Sequence, residues 1–116
     1  MKAGHSLDVR IAKALGWDIH PSGSVFQKGT RWFPIPDFST EWDGMGVLVE
    51  EAAKEGIFLE YEHFRNGRYM GRAWKFCDES DGWISMPNNR AIKPPIADTA
   101  ALAVSLVFLE AKGIGI

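Results

Sequence analysis

Ala97-Asp98-Thr99-Ala100-Ala101-Leu102-Ala103-Val104-Ser105-Leu106-Val107-Phe108-Leu109-Glu110-Ala111-Lys112-Gly113, delivered by the rigid pair Pro94-Pro95, is the stretch that decides the fold. Between Ala100 and Leu109 the only polar side chain is Ser105. The helix this segment forms is therefore apolar nearly all round and has to be covered nearly all round, by its own domain or by another chain. Leu102, Leu106 and Leu109 are expected to face a sheet. Val104, Val107 and Phe108 point the other way and need the first helix, the second helix or a second protomer, which makes them a possible interface.

The sheet is supplied first by Ile57 to Cys77, the clearest hairpin in the chain. Its turn, Asn66-Gly67, is a strong hairpin signal because both residues tolerate positive φ. A two-residue turn sets the pairs Arg65 with Arg68, Phe64 with Tyr69, His63 with Met70, Tyr61 with Arg72 and Leu59 with Trp74. Alternation then places Ile57, Leu59, Tyr61, His63, Met70, Trp74 and Phe76 on a core face, with Phe58, Glu60, Glu62, Phe64, Tyr69 and Lys75 on the other. Trp83 to Met86 reads as a further short strand between the polar turns Asp78 to Gly82 and Pro87 to Arg90.

Upstream, Ser6 is a good N-cap, and Leu7, Ile11 and Leu15 recur at helical spacing until Gly16, which predicts a helix over 7–15. Trp17 is placed to fold back onto its last turn. Val25-Phe26 and Arg31-Trp32-Phe33 flank Lys28-Gly29 as a second hairpin, after which Pro34 and Pro36 interrupt regular structure. Phe38-Ser39-Thr40-Glu41-Trp42-Asp43 opens the second helix, with Ser39 or Thr40 as cap and a buried stripe of Trp42, Met45, Val49 and Ala52 ending at Gly56. Gly44 and Gly46 lie inside that helix at a cost of about 1 kcal/mol each against alanine, which points to close packing against a neighbour or to room for a ligand at the helix start. The chain reads as one α+β domain over 1–116, a single antiparallel sheet of two hairpins packed with three helices in the order αββαββ(β)α.

Composition narrows the function. With 116 residues, 46% hydrophobic and 24% charged, with seven Phe and five Trp, the chain is a folded globular protein. Its net charge of -2 supplies no general basic field for nucleic acid. One cysteine excludes an intrachain disulfide and fits a reducing cytoplasm. Met1 to His5 lacks a signal-peptide core, and the longest apolar run is about half the roughly 20 residues of a membrane span.

Motifs for phosphate loops, dinucleotides, nucleophile elbows and zinc are absent from the sequence. Glu60 and Glu62 share a strand face about 7 Å apart while His63 points away, so Glu60-Tyr61-Glu62-His63 is a solvated strand face rather than a metal cluster. Asp78 and Glu79 would raise the thiol pKa of Cys77, which reads as structural. No catalytic residue, metal ligand or cofactor is expected. The tip of the hairpin carries the one arrangement suited to binding. Arg65 and Arg68 would face each other beside Phe64 and Tyr69, and a like-charged pair across a turn is unfavourable unless an anion lies between them or both splay into water. Such a group can hold a nucleotide phosphate and stack its base, or anchor a protein partner.

Three segments, Leu7-Asp8-Val9-Arg10-Ile11-Ala12-Lys13-Ala14-Leu15-Gly16-Trp17, Phe38-Ser39-Thr40-Glu41, and Ala97 to Ala103 with Ala111-Lys112-Gly113, make the chain resemble the phage ABA sandwich domain family of small phage and prophage proteins. The resemblance implies a sheet with helices packed on it, and no activity or catalytic residue to carry over. It further implies a phage-encoded, non-enzymatic accessory protein in the host bacterial cytoplasm that binds and inhibits a host defence component, as anti-CRISPR proteins do. The alternative is a sponge that sequesters an immune signalling nucleotide. Its expected partners are thus a host protein or complex, a nucleotide, or a second copy in a homodimer, without general nucleic-acid or membrane binding.

Overall fold

The computed structural model describes residues 2–77, 82–86 and 94–114. The elements run α1 (His5–Ala14), β1 (Asp18–Ile19), β2 (Val25–Lys28), β3 (Arg31–Pro34), α2 (Trp42–Lys54), β4 (Phe58–His63), β5 (Tyr69–Cys77), β6 (Gly82–Met86), β7 (Ile96–Ala97) and α3 (Ala100–Ala111). The class is α+β. The expected single sheet is corrected to two antiparallel sheets, β1-β2-β3 and β4-β5-β6, the latter with β7 also on β5. β6 and β7 follow one another along the same edge of β5, and the Gly71 N–H of β5 donates to the Pro95 carbonyl just before β7. Both two-residue strands escaped the sequence pattern, because alternation over two residues carries no signal. The turns expected over 78–81 and from Pro87 to Arg90 lie outside the described residues.

Helix boundaries follow from where polar groups are consumed. The N-cap of α1 is Gly4, not Ser6, which lies exposed inside the first turn. The N-cap of α2 is Glu41, not Ser39 or Thr40. Ser39 is unavailable as a cap because it is buried against α1: its N–H donates to Asp8 Oδ1 at 2.9 Å and its hydroxyl to the same oxygen at 2.7 Å, while the Gly4 N–H donates to Ser39 Oγ at 2.9 Å. Leu48 replaces Trp42 and Val49 in the fully buried stripe of α2, and Trp42 is 59% exposed. Gly44 is pressed on the Asp37 carbonyl, where a methyl would collide, as close packing requires; Gly46 faces open space.

The register of the β4–β5 hairpin is shifted by one residue from the expected one. Glu60 pairs with Arg72, Glu62 with Met70 and His63 with Tyr69. The loop holds three residues, not two. The Phe64 N–H donates to the Arg68 carbonyl (2.8 Å) and the Gly67 N–H to the Phe64 carbonyl (3.0 Å), with Gly67 at φ 84°. This is a three-residue loop ending in a left-handed glycine, which Asn-Gly serves as well as it serves a two-residue turn. The slip exchanges the faces of β5. Leu59, Tyr61 and His63 now share a face with Tyr69, Gly71 and Ala73, while Met70, Trp74 and Phe76 lie on the other with Phe58, Glu60 and Glu62.

That exchange explains how α3 seats. Gly71 is so close to the Ala103 carbonyl and the Val107 side chain that no Cβ fits there. Ala103 and Val107 therefore face the sheet, whereas Leu102, expected there, is only half-buried. Val104, Val107 and Phe108 are at most 2% exposed, covered by the chain itself, so the interface expected on them is corrected. α3 packs on β4 and β5 on one side and on α1 and α2 on the other. Its one internal polar side chain, Ser105, donates to the Phe38 carbonyl at 3.3 Å. Ala97 is a strand residue, and the helix proper starts behind Thr99, whose Oγ1 accepts from the Leu102 N–H at 3.2 Å. Helix α1 is tied to the small sheet by Trp17, which stacks on Phe26 at 4.2 Å and tilts against Phe38 at 5.6 Å.

Candidate functional site

The four hairpin residues singled out in the sequence are not brought together as a group. Arg65 lies exposed in the loop and Phe64 closes it by backbone bonds to Arg68, so the facing arginines and the Phe64–Tyr69 pair are corrected along with the register. Arg68 Nε instead meets Asp98 Oδ1 at 3.5 Å, with both side chains well exposed, a pair worth at most about 1 kcal/mol. Tyr69 lies opposite His63, their rings stacked at 4.2 Å and 5°.

What the fold assembles instead is an aromatic cleft at the end of the sheet where α2 and α3 both begin. Tyr61, on β4, touches Tyr69 at 5.6 Å and Trp42 at 5.8 Å, both edge to face. Trp42 reaches this point because it is the first residue of α2, beside Thr40 and across from Asp98, Thr99, Ala100 and Ala101 at the start of α3. Together with Tyr69 these residues line a cavity of about 150 Å³. Trp42 and Tyr61 keep 59% and 41% of their surface exposed, although the packing needs of so small a chain would favour burying both. Edge-to-face contacts hold the rings in place and leave the outer face of the cluster open. The cleft retains Tyr69 from the sequence reading, with Arg68 tied to its wall through Asp98, and adds Trp42 and Tyr61. Trp42 was missed because helical spacing assigned it to the core; its position before the first full turn of α2 was the signal that it points out at the helix end.

The carboxylate pair on the outer strand face is engaged locally. Glu60 Oε1 accepts from Trp74 Nε1 at 2.7 Å, and Glu62 Oε2 accepts from Arg72 at 2.9 Å. Lys75 pairs with Ile84 and lies on the opposite face from both glutamates, another consequence of the slipped register. Among the described residues no group of three or more His, Cys, Asp or Glu could hold a metal ion. No helix among them is long and apolar enough to cross a membrane.

No protein-family model matches the chain, and no curated protein does. Among solved structures it is similar to a phage protein from Bacillus cereus ATCC 14579, known from a 2.0 Å crystal structure. The two share 20% sequence identity and superpose with a TM-score of 0.67 over 100% of this chain and 92% of the other. This likeness extends over all of the α+β architecture described above and is one of fold.

Proposed function

We propose that this chain is a small phage-encoded accessory protein, of the phage ABA sandwich kind, that acts by binding a host defence component in the bacterial cytoplasm and carries out no chemistry of its own. The observation that carries this reading is the cleft of Trp42, Tyr61 and Tyr69 with Arg68 at its rim. Tryptophan, tyrosine and arginine are enriched among the residues that dominate binding energy in protein interfaces, and here Trp42 and Tyr61 stay exposed while Tyr69 seats their ring cluster on the core. The likeness to a phage protein agrees with this setting.

Expression of the chain in a bacterial strain protected by a defined defence system is expected to restore plating of a restricted phage, and the Trp42→Ala/Arg68→Glu double variant to fail while remaining folded. Unchanged plating across strains carrying different systems, together with turnover of a nucleotide or nucleic acid by the purified protein, would overturn the reading. A second reading, sequestration of an immune signalling nucleotide, is favoured by one observation away from the cleft. Lys28 and Arg31, of like charge, are cross-strand partners in the first hairpin and lie next to the partnered rings of Phe26 and Phe33.

A further inference from the structure

The arrangement expected at the tip of the second hairpin exists in the first one. Lys28 pairs with Arg31 and Phe26 with Phe33 across β2 and β3. Successive partners two residues apart share a sheet face, so both cations and both rings lie on one side. Directly opposed side chains approach to roughly 5 Å at Cβ, where like charges repel. Neither Lys28 nor Arg31 forms an ion pair with another described residue. Both are exposed, so nothing in the fold explains why two cations stand together.

The same face opens into two adjoining cavities that share Phe26, Lys28 and Pro36. One, of about 330 Å³, continues past the stacked Trp17 to Val47, Glu51 and Lys54 on α2. The other, of about 450 Å³, continues past Phe33 and Pro34 to Asp37. Glu51 is already neutralised by Lys54 at 2.8 Å. The groove thus has aromatic walls in Trp17, Phe26 and Phe33, the last 38% exposed, with Lys28 on the wall of both cavities, Arg31 opposite Lys28 across the hairpin, and the Asp37 carboxylate at the far end of the second cavity. A planar ring stacks on exposed aromatic surface whatever its edge chemistry, and a phosphate relieves the repulsion of two opposed cations by lying between them. Neither group alone would use both features.

We propose that this groove binds a nucleoside phosphate, with the phosphate held between Lys28 and Arg31 and the base against the exposed ring of Phe33. The proposal rests on the second reading given above and locates it on the first hairpin, away from the Trp42 cleft. The ligand is either a free nucleotide or a nucleotide within a single strand, since both present the same base and phosphate.

The test is a titration of the full chain with AMP, ATP, adenosine, inorganic phosphate and a ten-residue oligothymidylate, followed by amide chemical shifts and tryptophan fluorescence. AMP or ATP is expected to shift the β2–β3 hairpin at least tenfold more tightly than adenosine or phosphate alone. The Lys28→Glu/Arg31→Glu variant, whose exposed positions leave the fold intact by circular dichroism, is expected to lose at least tenfold in affinity. Binding of the oligonucleotide at the hairpin without the free nucleotides keeps the site and overturns sequestration. Nucleotide binding that the double charge reversal leaves unchanged overturns the site and keeps sequestration. No response of the hairpin to any probe at millimolar concentration overturns both.

Discussion

Replacement of Asp8 by alanine tests how the two halves of the chain are tied. Asp8 is 1% exposed and accepts two hydrogen bonds from Ser39, itself fully buried, which fastens α1 to the segment that leads into α2. In the alanine variant the Ser39 hydroxyl still has the Gly4 carbonyl, already 3.4 Å away, but the Ser39 N–H is left buried without an acceptor. An orphaned buried donor costs about 1–3 kcal/mol, from which relief of the buried carboxylate subtracts a part. For a chain of this size that is a fall in Tm of roughly 4–12 °C. Asn, which keeps the acceptor, is expected to lose less than half as much. Burial, the largest influence, raises the Asp8 pKa above the ordinary carboxylate value against the pull of its two Ser39 bonds, with repulsion from Asp37 adding to the rise. A carboxyl with a raised folded pKa binds its proton more tightly folded than unfolded, so its contribution to stability is greatest below about pH 4 and declines as pH rises through the folded value. The Tm difference between Asp8→Asn and the parent should therefore move in favour of the variant from pH 4 to pH 7. Thermal unfolding followed by circular dichroism at several pH values decides the matter. An alanine variant as stable as the parent, or an Asn variant as damaged as alanine, refutes the role assigned to the Ser39 donors.

Gly71→Ala forces a methyl against the Ala103 backbone and should cost about 1–3 kcal/mol by chemical denaturation, whereas the register expected from sequence, with Gly71 away from the core, would make it harmless. Thr99→Ala removes the one side-chain cap of α3 and should cost about 1 kcal/mol, with Thr99→Ser recovering most of it. Trp42→Ala, at a site 59% exposed, should lower stability by less than about 1 kcal/mol while abolishing the plating effect; a large loss of stability would return Trp42 to the core.

Most of what the residues dictate locally can be read without the structure. Gly56 closes α2 in the left-handed conformation, β2 and β3 flank their turn as expected, and β6 extends from Gly82 to Met86. The candidate site was half legible. Tyr69 lines the cleft and Arg68 meets it through Asp98, but Tyr61, which touches Tyr69, and Trp42, which touches Tyr61, come from other elements, and no spacing in the sequence announces that α2 and α3 start at one point. The sequence places a like-charged pair beside an aromatic pair at the tip of the second hairpin. A one-residue slip dissolved it in the second hairpin, and the pairing of β2 with β3 formed it in the first.

The sequence by itself determined the α+β class, three helices, two hairpins and a last helix that must be covered on every side, because these follow from periodicity, turn residues and the hydrophobicity of α3. Tertiary structure alone decided which face of β5 meets that helix. The loop residues Asn66-Gly67 accept two registers at similar cost, and the choice falls to packing: Gly71 and Ala73 let the α3 backbone approach, where Trp74 and Phe76 would hold it away. The same packing buries Val104, Val107 and Phe108 against α1, α2 and the sheet, so of the covers expected for that face, a helix of the same chain or a second protomer, the chain's own helices supply it.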